Sequence, residues 1–183
     1  QANPDDVDRS AKALLSAEHP MIIAGAGVLY AEATDQLVQL AEFLQLPVMT
    51  TMEGKSAISE LHPLALGSGS GVMSEPVLTY LKKADVVLVI GSSMTPHSMV
   101  TPIPPGKTVI HSTNDPIDIG KGGSPDQAML GDSKLVLTQL YDAVQDLARK
   151  TPRSSDKGPA EEIRLLRSAW EAKWSPKLMA NSK

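Results

Sequence analysis

The chain has 183 residues, of which 42% are hydrophobic and 21% charged, with a formal net charge of −4. These values predict one globular domain, and the lack of a basic excess argues against nucleic-acid binding. No cysteine is present, which excludes disulfides, thiolate metal sites and cysteine nucleophiles and suits a reducing cytoplasm. The longest apolar run, Val86–Ile90, is far too short to cross a membrane. Because the chain starts at Gln1 without an initiator methionine, we expect a portion of a longer protein.

Helical periodicity and short apolar runs alternate through the first half of the chain. Apolar residues at helical spacing between Val7 and Leu15 predict the first helix. Residues 21–24 are all apolar and end at Gly25, which predicts a strand buried on both faces. The same two patterns predict a helix over 37–44, a strand over 47–51 and a short strand over 64–66.

The second half continues this alternation. Ser74-Glu75-Pro76 combines a capping residue, an acid and a proline, which predicts the start of a helix. Val86–Ile90 is the strongest strand, and further strands over 107–112 and 128–130 precede a helix capped by Asp132 or Ser133. Repeated strand–helix order implies parallel pairing, because parallel strands need a long crossover. We therefore predict a doubly wound α/β fold, a Rossmann-like three-layer sandwich around a mostly parallel sheet of six strands.

The composition changes near the end of the chain. Residues 150–159 are rich in Pro, Ser and charged residues, which predicts a linker after a domain over 1–149. Beyond it, residues 160–183 predict a helical tail leading to a further domain, with Trp170 and Trp174 on its apolar face. These rings either pack on their own domain or dock against a neighbour, and the linker favours docking.

Two glycine-rich stretches could hold an anion. Gly25-Ala26-Gly27 lies between a strand and a helix, as in dinucleotide folds, where glycines let a pyrophosphate approach. The third glycine of that fingerprint is missing, and Thr50 and Thr51 replace the expected acid. These glycines either turn the chain or bind a nucleotide. Residues 67–71 either cradle an anion through backbone N–H groups or form a flexible loop.

Polar residues also follow the later strands. Asn114-Asp115-Pro116 predicts a turn at the edge where open α/β sheets bind ligands. Gly131-Asp132-Ser133 predicts a helix cap, with a polar contact to a nucleotide as the alternative. The histidines are not spaced as metal ligands, so we predict no metal site and no catalytic residue in this chain. They are His19, His62, His97 and His111.

An ordered set of segments resembles one family, the central domain of thiamine-diphosphate-dependent enzymes of the acetolactate synthase and benzoylformate decarboxylase type. The segments are residues 19–27, 46–58, 60–67, 84–93, 111–121 and 131–132. The resemblance implies three domains in the parent enzyme, of which this chain is the middle one. It further implies that thiamine diphosphate and Mg²⁺ bind between the flanking pyrimidine-binding and diphosphate-binding domains of two subunits, in a homodimer or homotetramer. The chain would then be no catalyst by itself.

The same resemblance bears on nucleotide binding, because the family's middle domain holds FAD in some members and ADP or nothing in others. FAD-binding members carry arginines where Ser93 and His97 stand, and an acid where Thr113 stands. Without guanidinium partners for a diphosphate, we expect FAD binding to be weak or absent and ADP binding to be optional. The candidate cofactor-binding residues are Gly25, Gly27, Thr51, Met52, Gly91, Ser93, Asp115, Asp132 and Ser133.

Three hypotheses of function follow from these patterns. The first is a scaffold and subunit contact within a thiamine-diphosphate-dependent 2-oxo acid decarboxylase or carboligase, a lyase or transferase. The second is a module of such an enzyme that binds ADP or FAD. The third, a free-standing NAD-dependent enzyme, is disfavoured because the chain has no cysteine for a structural zinc site.

Overall fold

The computed structural model describes residues 1–69, 73–96, 102–150 and 158–180, which form a three-layer α/β fold. Among them the strands are β1 (Pro20–Ala24), β2 (Val48–Thr50), β3 (Ala65–Ser68), β4 (Val86–Ile90), β5 (Thr108–Thr113) and β6 (Gln127–Leu130). They form one sheet in the order β3-β2-β1-β4-β5-β6, and every pairing is parallel. The predicted doubly wound fold class is therefore confirmed.

Helices cover both faces of this sheet. They are α1 (Pro4–Ser16), α2 (Ala26–Tyr30), α3 (Thr34–Leu44), α4 (Glu75–Lys83), α5 (Ser133–Lys150) and α6 (Gly158–Ala180), with a 3₁₀ turn at Pro116–Asp118. In the described part of the chain, no helix combines the length and the apolar character that crossing a membrane requires.

The two faces of the sheet bury separate apolar cores. Side chains of successive strand residues point to opposite faces, so Ile22 and Leu88 pack with α1, α3 and α5, whereas Ile23 and Val89 pack with α4 and α6. Burial on both faces explains why β1 and β4 are solid apolar runs, with every residue buried.

Helices α4 and α6 lie side by side and run in opposite directions. Near the end of α4, the hydroxyl of Tyr80 donates to Glu162 Oε2 at 2.8 Å, and Lys83 Nζ lies 2.9 Å from the same oxygen. Near the start of α4, Lys173 Nζ lies 3.4 Å from Glu75 Oε2. Because α4 runs against the strands, α6 runs along them, toward the carboxyl edge of the sheet.

The end of the chain packs more closely on the domain than the predicted tail implies. Helix α6 starts at Gly158, and Ile163 is 1% exposed within the second core. The predicted linker falls mostly on residues 151–157, outside the described residues, so the division at 150–159 stays a prediction. One element was not predicted, the five-residue helix α2, which is too short for apolar periodicity to reveal.

Candidate functional site at the carboxyl edge of the sheet

Strands β1 and β4 are neighbours in the sheet, and their backbones come unusually close where they end. Gly25 N donates to the carbonyl of Ile90 at 2.9 Å, and Gly27 N donates to the carbonyl of Gly91 at 2.8 Å. A Cβ atom on Gly25 would overlap the carbonyl oxygen of Gly91 and lie 2.7 Å from Ser92 Cβ. The glycines at these positions therefore allow two chain segments to touch directly.

This arrangement accounts for the glycine pair without a ligand. The amide of Gly27 is already satisfied by Gly91, so it is not free to bind a phosphate. Helix α2, which follows the pair, has only five residues. The interpretation that the glycines turn the chain explains their presence here, and a role in binding stays a prediction.

A cavity of about 260 Å³ opens beside this contact, on the face covered by α4 and α6. It lies at the point where the strand order reverses, which is where open α/β sheets place ligands. Among the described residues it is lined by Ile23, Ala26, Met49, Thr51, Glu53, Gly69, Val89, Gly91, Ser92, Ser93, Met94, Thr95 and Ile103.

The floor of the cavity is a row of three apolar side chains on adjacent strands. Ile23 pairs with Met49 on one side and with Val89 on the other, so the three share one level and one face of the sheet. Neighbouring strands lie about 4.8 Å apart, and the row is therefore about 10 Å wide. Such a surface suits a flat apolar group.

The rim of the cavity carries hydroxyl groups held by local hydrogen bonds. Ser93 Oγ lies 2.9 Å from Thr95 Oγ1, and Thr51 Oγ1 accepts from Gly54 N at 3.0 Å. His111 is 1% exposed and donates from Nε2 to the carbonyl of Ser92 at 2.8 Å, which fixes the segment after β4. Among the described lining residues Glu53 is the sole ionisable group, and no nucleophile is paired with a base.

The structure gathers some of the predicted site residues and separates others. Thr51, Gly91 and Ser93 line the cavity, whereas Met52 is 43% exposed and does not line it. His97, named as a matching position, and part of the predicted anion loop 67–71 lie outside the described residues.

The remaining candidates cap local structure at the ends of β5 and β6. Asp115 Oδ1 accepts from Ile117 N at 2.9 Å, and Asp132 Oδ1 accepts from Lys134 N at 3.0 Å. Ser133 follows Asp132 at the start of α5 and is 6% exposed. The predicted cap at Asp132 is therefore present, and the nucleotide contacts of these three residues stay predictions.

An acid does lie beside Thr113, although it comes later in the chain than the resemblance implies. Asp118 Oδ2 accepts from Thr113 Oγ1 at 3.1 Å. The Lys121 ammonium, 2.6 Å from the other oxygen, holds the pKa of Asp118 below its usual range. Sequence reasoning missed Asp118, and it also missed the floor residues and Glu53, because neither the strand order nor the course of a loop can be deduced from spacing.

The described lining offers no partner for the diphosphate of FAD or ADP. Within the described part of the site there is no cation to pair with phosphate oxygens, and Glu53 adds a negative charge. Thiamine diphosphate with Mg²⁺ does not fit either, because the described residues contain no cluster of three or more ligating side chains and Asp132 is occupied as a cap.

Comparisons with known proteins agree with the fold just described. Residues 7–140 match the family model "Thiamine pyrophosphate enzyme, central domain". A probable acetolactate synthase large subunit of Methanococcus aeolicus is 33% identical over 156 residues, which cover 84% of this chain and 26% of the relative. A glyoxylate carboligase of Escherichia coli O157:H7 is 30% identical over 146 residues, covering 78% of this chain and 25% of that protein.

A solved structure shares the same fold. The benzoylformate decarboxylase of Polynucleobacter necessarius superposes with a TM-score of 0.66 at 23% identity, over 78% of this chain and 27% of that chain. This chain thus spans about a quarter of the length of the curated relatives it matches. On the match of the central-domain model and the identity to these relatives, the chain belongs to the family of thiamine pyrophosphate enzyme central domains.

Proposed function

We propose that this domain is the spacer of a longer thiamine-diphosphate-dependent enzyme that cleaves or forms a C–C bond next to the carbonyl of a 2-oxo acid. It separates the pyrimidine-binding and diphosphate-binding domains, contributes to subunit contacts and does not catalyse a reaction by itself. The family membership and the names of the relatives, an acetolactate synthase and a glyoxylate carboligase, support this proposal.

The observation that carries the proposal is that the start of the domain and the end of α6 lie at the same edge of the sheet. The main chain of Ala2 is held by the Gln139 side chain, with contacts of 2.9 and 3.1 Å. A Cβ on Gly131, just after β6, would lie 3.0 Å from Ala2 N. The first residues are therefore at the carboxyl edge.

Helix α6 reaches the same edge from the opposite side of the sheet. Beyond the contact of Lys173 with the first turn of α4, residues 174–180 add about 10 Å of helix. Residues 171–177, 179 and 180 are exposed, including Trp174 at 39% and Met179 at 72%. Large apolar side chains with this exposure suit burial against a neighbouring domain.

The chain would then pass to both flanking domains at the edge of the sheet that holds the cavity. A spacer with this geometry brings the two flanking domains to one side, where they can approach each other. In the proposed enzyme those domains hold thiamine diphosphate and Mg²⁺, the assembly is a homodimer or homotetramer, and the compartment is the cytoplasm. When bound, the cofactor supplies a thiazolium carbanion as the nucleophile for the 2-oxo acid.

Hydrogen exchange tests the proposal. Amide exchange is measured in the 183-residue chain and in the longer polypeptide that contains it. We expect residues 171–180 to exchange at least about tenfold more slowly in the longer polypeptide, because a neighbouring domain covers them. Residues 160–166, already packed on α4, serve as the internal control and keep their rate. Equal exchange of 171–180 in both samples would contradict the proposal.

A further inference from the structure

The residues that line the cavity at the carboxyl edge determine which ligands it can bind, and this holds independently of the spacer role. Its floor is the Met49–Ile23–Val89 row, and Met94 and Ile103 add apolar surface. Both methionine thioethers pack well against aromatic rings. A flat ring system laid across three strands would bury its faces on this floor.

Among the described lining residues, the polar groups of the rim are neutral donors and acceptors, with the single exception of Glu53. Hydroxyls of Thr51, Ser93 and Thr95 can each exchange one hydrogen bond with a hydroxyl or amine of a ligand. In the described part of the cavity no Lys, Arg or His side chain faces a ligand. The nearby glycine amide that could bind phosphate is taken by the carbonyl of Gly91.

The charge of Glu53 therefore stands without a neighbouring cation in the lining. Lys55, two residues later, pairs with Glu60 at 3.4 Å instead. Among the described lining residues, a phosphorylated ligand would bring negative charge toward this exposed carboxylate and lose water from its phosphates without gaining a cationic partner. An uncharged ligand meets neither penalty.

The size of the cavity favours a ligand smaller than a dinucleotide. At about 260 Å³ it is near the lower end of small-molecule sites, which span about 300–1,000 Å³. A dinucleotide would extend well outside it, whereas a single ring system with a short polar substituent fills it.

We propose that this cavity binds an uncharged, ring-containing molecule of nucleoside size or smaller, and that Glu53 excludes the phosphorylated forms of the same ligand. Hydrophobic contact with the strand row provides affinity, the rim hydroxyls orient the polar end, and the Glu53 carboxylate sets the specificity. Glu53 thus acts as a specificity-determining residue of a binding site.

Adenosine and ADP are the probes that test this inference, because they share one ring system and differ in charge. Each is titrated calorimetrically at low ionic strength into the full 183-residue chain, the Glu53→Gln variant and a Glu18→Gln control, whose exposed side chain precedes β1 at the opposite edge of the sheet. We expect ADP to bind about tenfold more weakly than adenosine in the unaltered chain. In Glu53→Gln the difference between the two affinities narrows to about threefold or less, and in Glu18→Gln it stays unchanged.

A second measurement places the probe in the cavity. The chain has eight methionines, whose ¹³C-labelled methyl groups report contact by NMR. Adenosine should shift the signals of Met49 and Met94 and leave that of Met179, 72% exposed on α6, unchanged. Tighter binding of ADP than of adenosine, an equal difference in all three proteins, no shift of Met49 or Met94, or no adenosine binding at millimolar concentration would each overturn the inference.

Discussion

The contact between Gly25 and Gly91 makes a quantitative prediction. Gly25 has φ −98° and ψ −177°, an extended conformation that any residue adopts, so an alanine there carries no backbone strain of its own. Its added methyl group, however, would overlap the Gly91 carbonyl oxygen and lie 2.7 Å from both the Gly91 carbonyl carbon and Ser92 Cβ. These atoms follow β4, whose Ile90 pairs with Ala24 of β1, so relief requires separating the ends of two central strands.

We expect Gly25→Ala to lower the free energy of unfolding by about 3 kcal/mol, at the upper end of overpacking penalties. For a domain of this size the melting temperature then falls by about 6–12 °C. Urea unfolding followed by circular dichroism measures the change. Gly106→Ala is the control, because Gly106 has φ +81° but nothing within 4 Å of an added Cβ. Gly106→Ala should lower the free energy of unfolding by only about 1 kcal/mol, the cost of a left-handed backbone conformation for alanine. Equal losses in the two variants would refute the reasoning.

Three further predictions concern buried or partly buried polar groups. Asp85 accepts three backbone N–H groups at 2.7–2.9 Å; although partial burial opposes it, these bonds lower the pKa of Asp85. Asp85→Asn should therefore lower the free energy of unfolding by about 2 kcal/mol at pH 7. The difference in stability between the variant and the unaltered chain should vanish as the pH falls below about 4 and through the lower native pKa. Urea unfolding at several pH values measures it. Burial, reinforced by the hydrogen bond to Glu162, raises the pKa of Tyr80 far above its usual range. Tyr80→Phe should therefore leave the rise in tyrosinate absorbance between about pH 8 and 11 unchanged. Because the chain has three tyrosines, a loss of one third of that rise would contradict this prediction. Ser112 is fully buried, and its hydroxyl has no hydrogen-bond partner among the described residues. Ser112→Ala should be neutral or stabilise the fold by up to about 1 kcal/mol in the same assay, whereas a clear loss would indicate a bound water or partner.

The fold could be predicted because burial of a parallel sheet leaves a strong trace in the sequence. All residues of β1 and β4 are apolar, since both faces of each strand are covered. Helix α2 left no such trace, because five residues give barely more than one turn and only Val28 is buried. Helix α3 starts at Thr34, three residues before the first residue of its predicted apolar stripe.

The candidate site could be predicted only in part. The family resemblance supplied Thr51, Gly91 and Ser93, and all three line the cavity. Thr51 and Gly91 directly follow strand ends, where open α/β sheets bind ligands. Met49 and Val89 lie inside strands, and their alignment with Ile23 depends on β1 pairing with both β2 and β4. Spacing along the chain does not encode that order. Asp115 and Asp132 matched a family position, but their carboxylates are used to cap the turns they start.

The assignment of cofactor binding to the flanking domains is the central claim of the spacer proposal. Calorimetric titration of thiamine diphosphate with Mg²⁺ into the 183-residue chain and into the longer polypeptide containing it tests this claim most directly. The account predicts saturable binding to the longer polypeptide and none to the 183-residue chain, whose described residues contain no ligand cluster for the metal. Saturable binding of the cofactor to the 183-residue chain alone would contradict it.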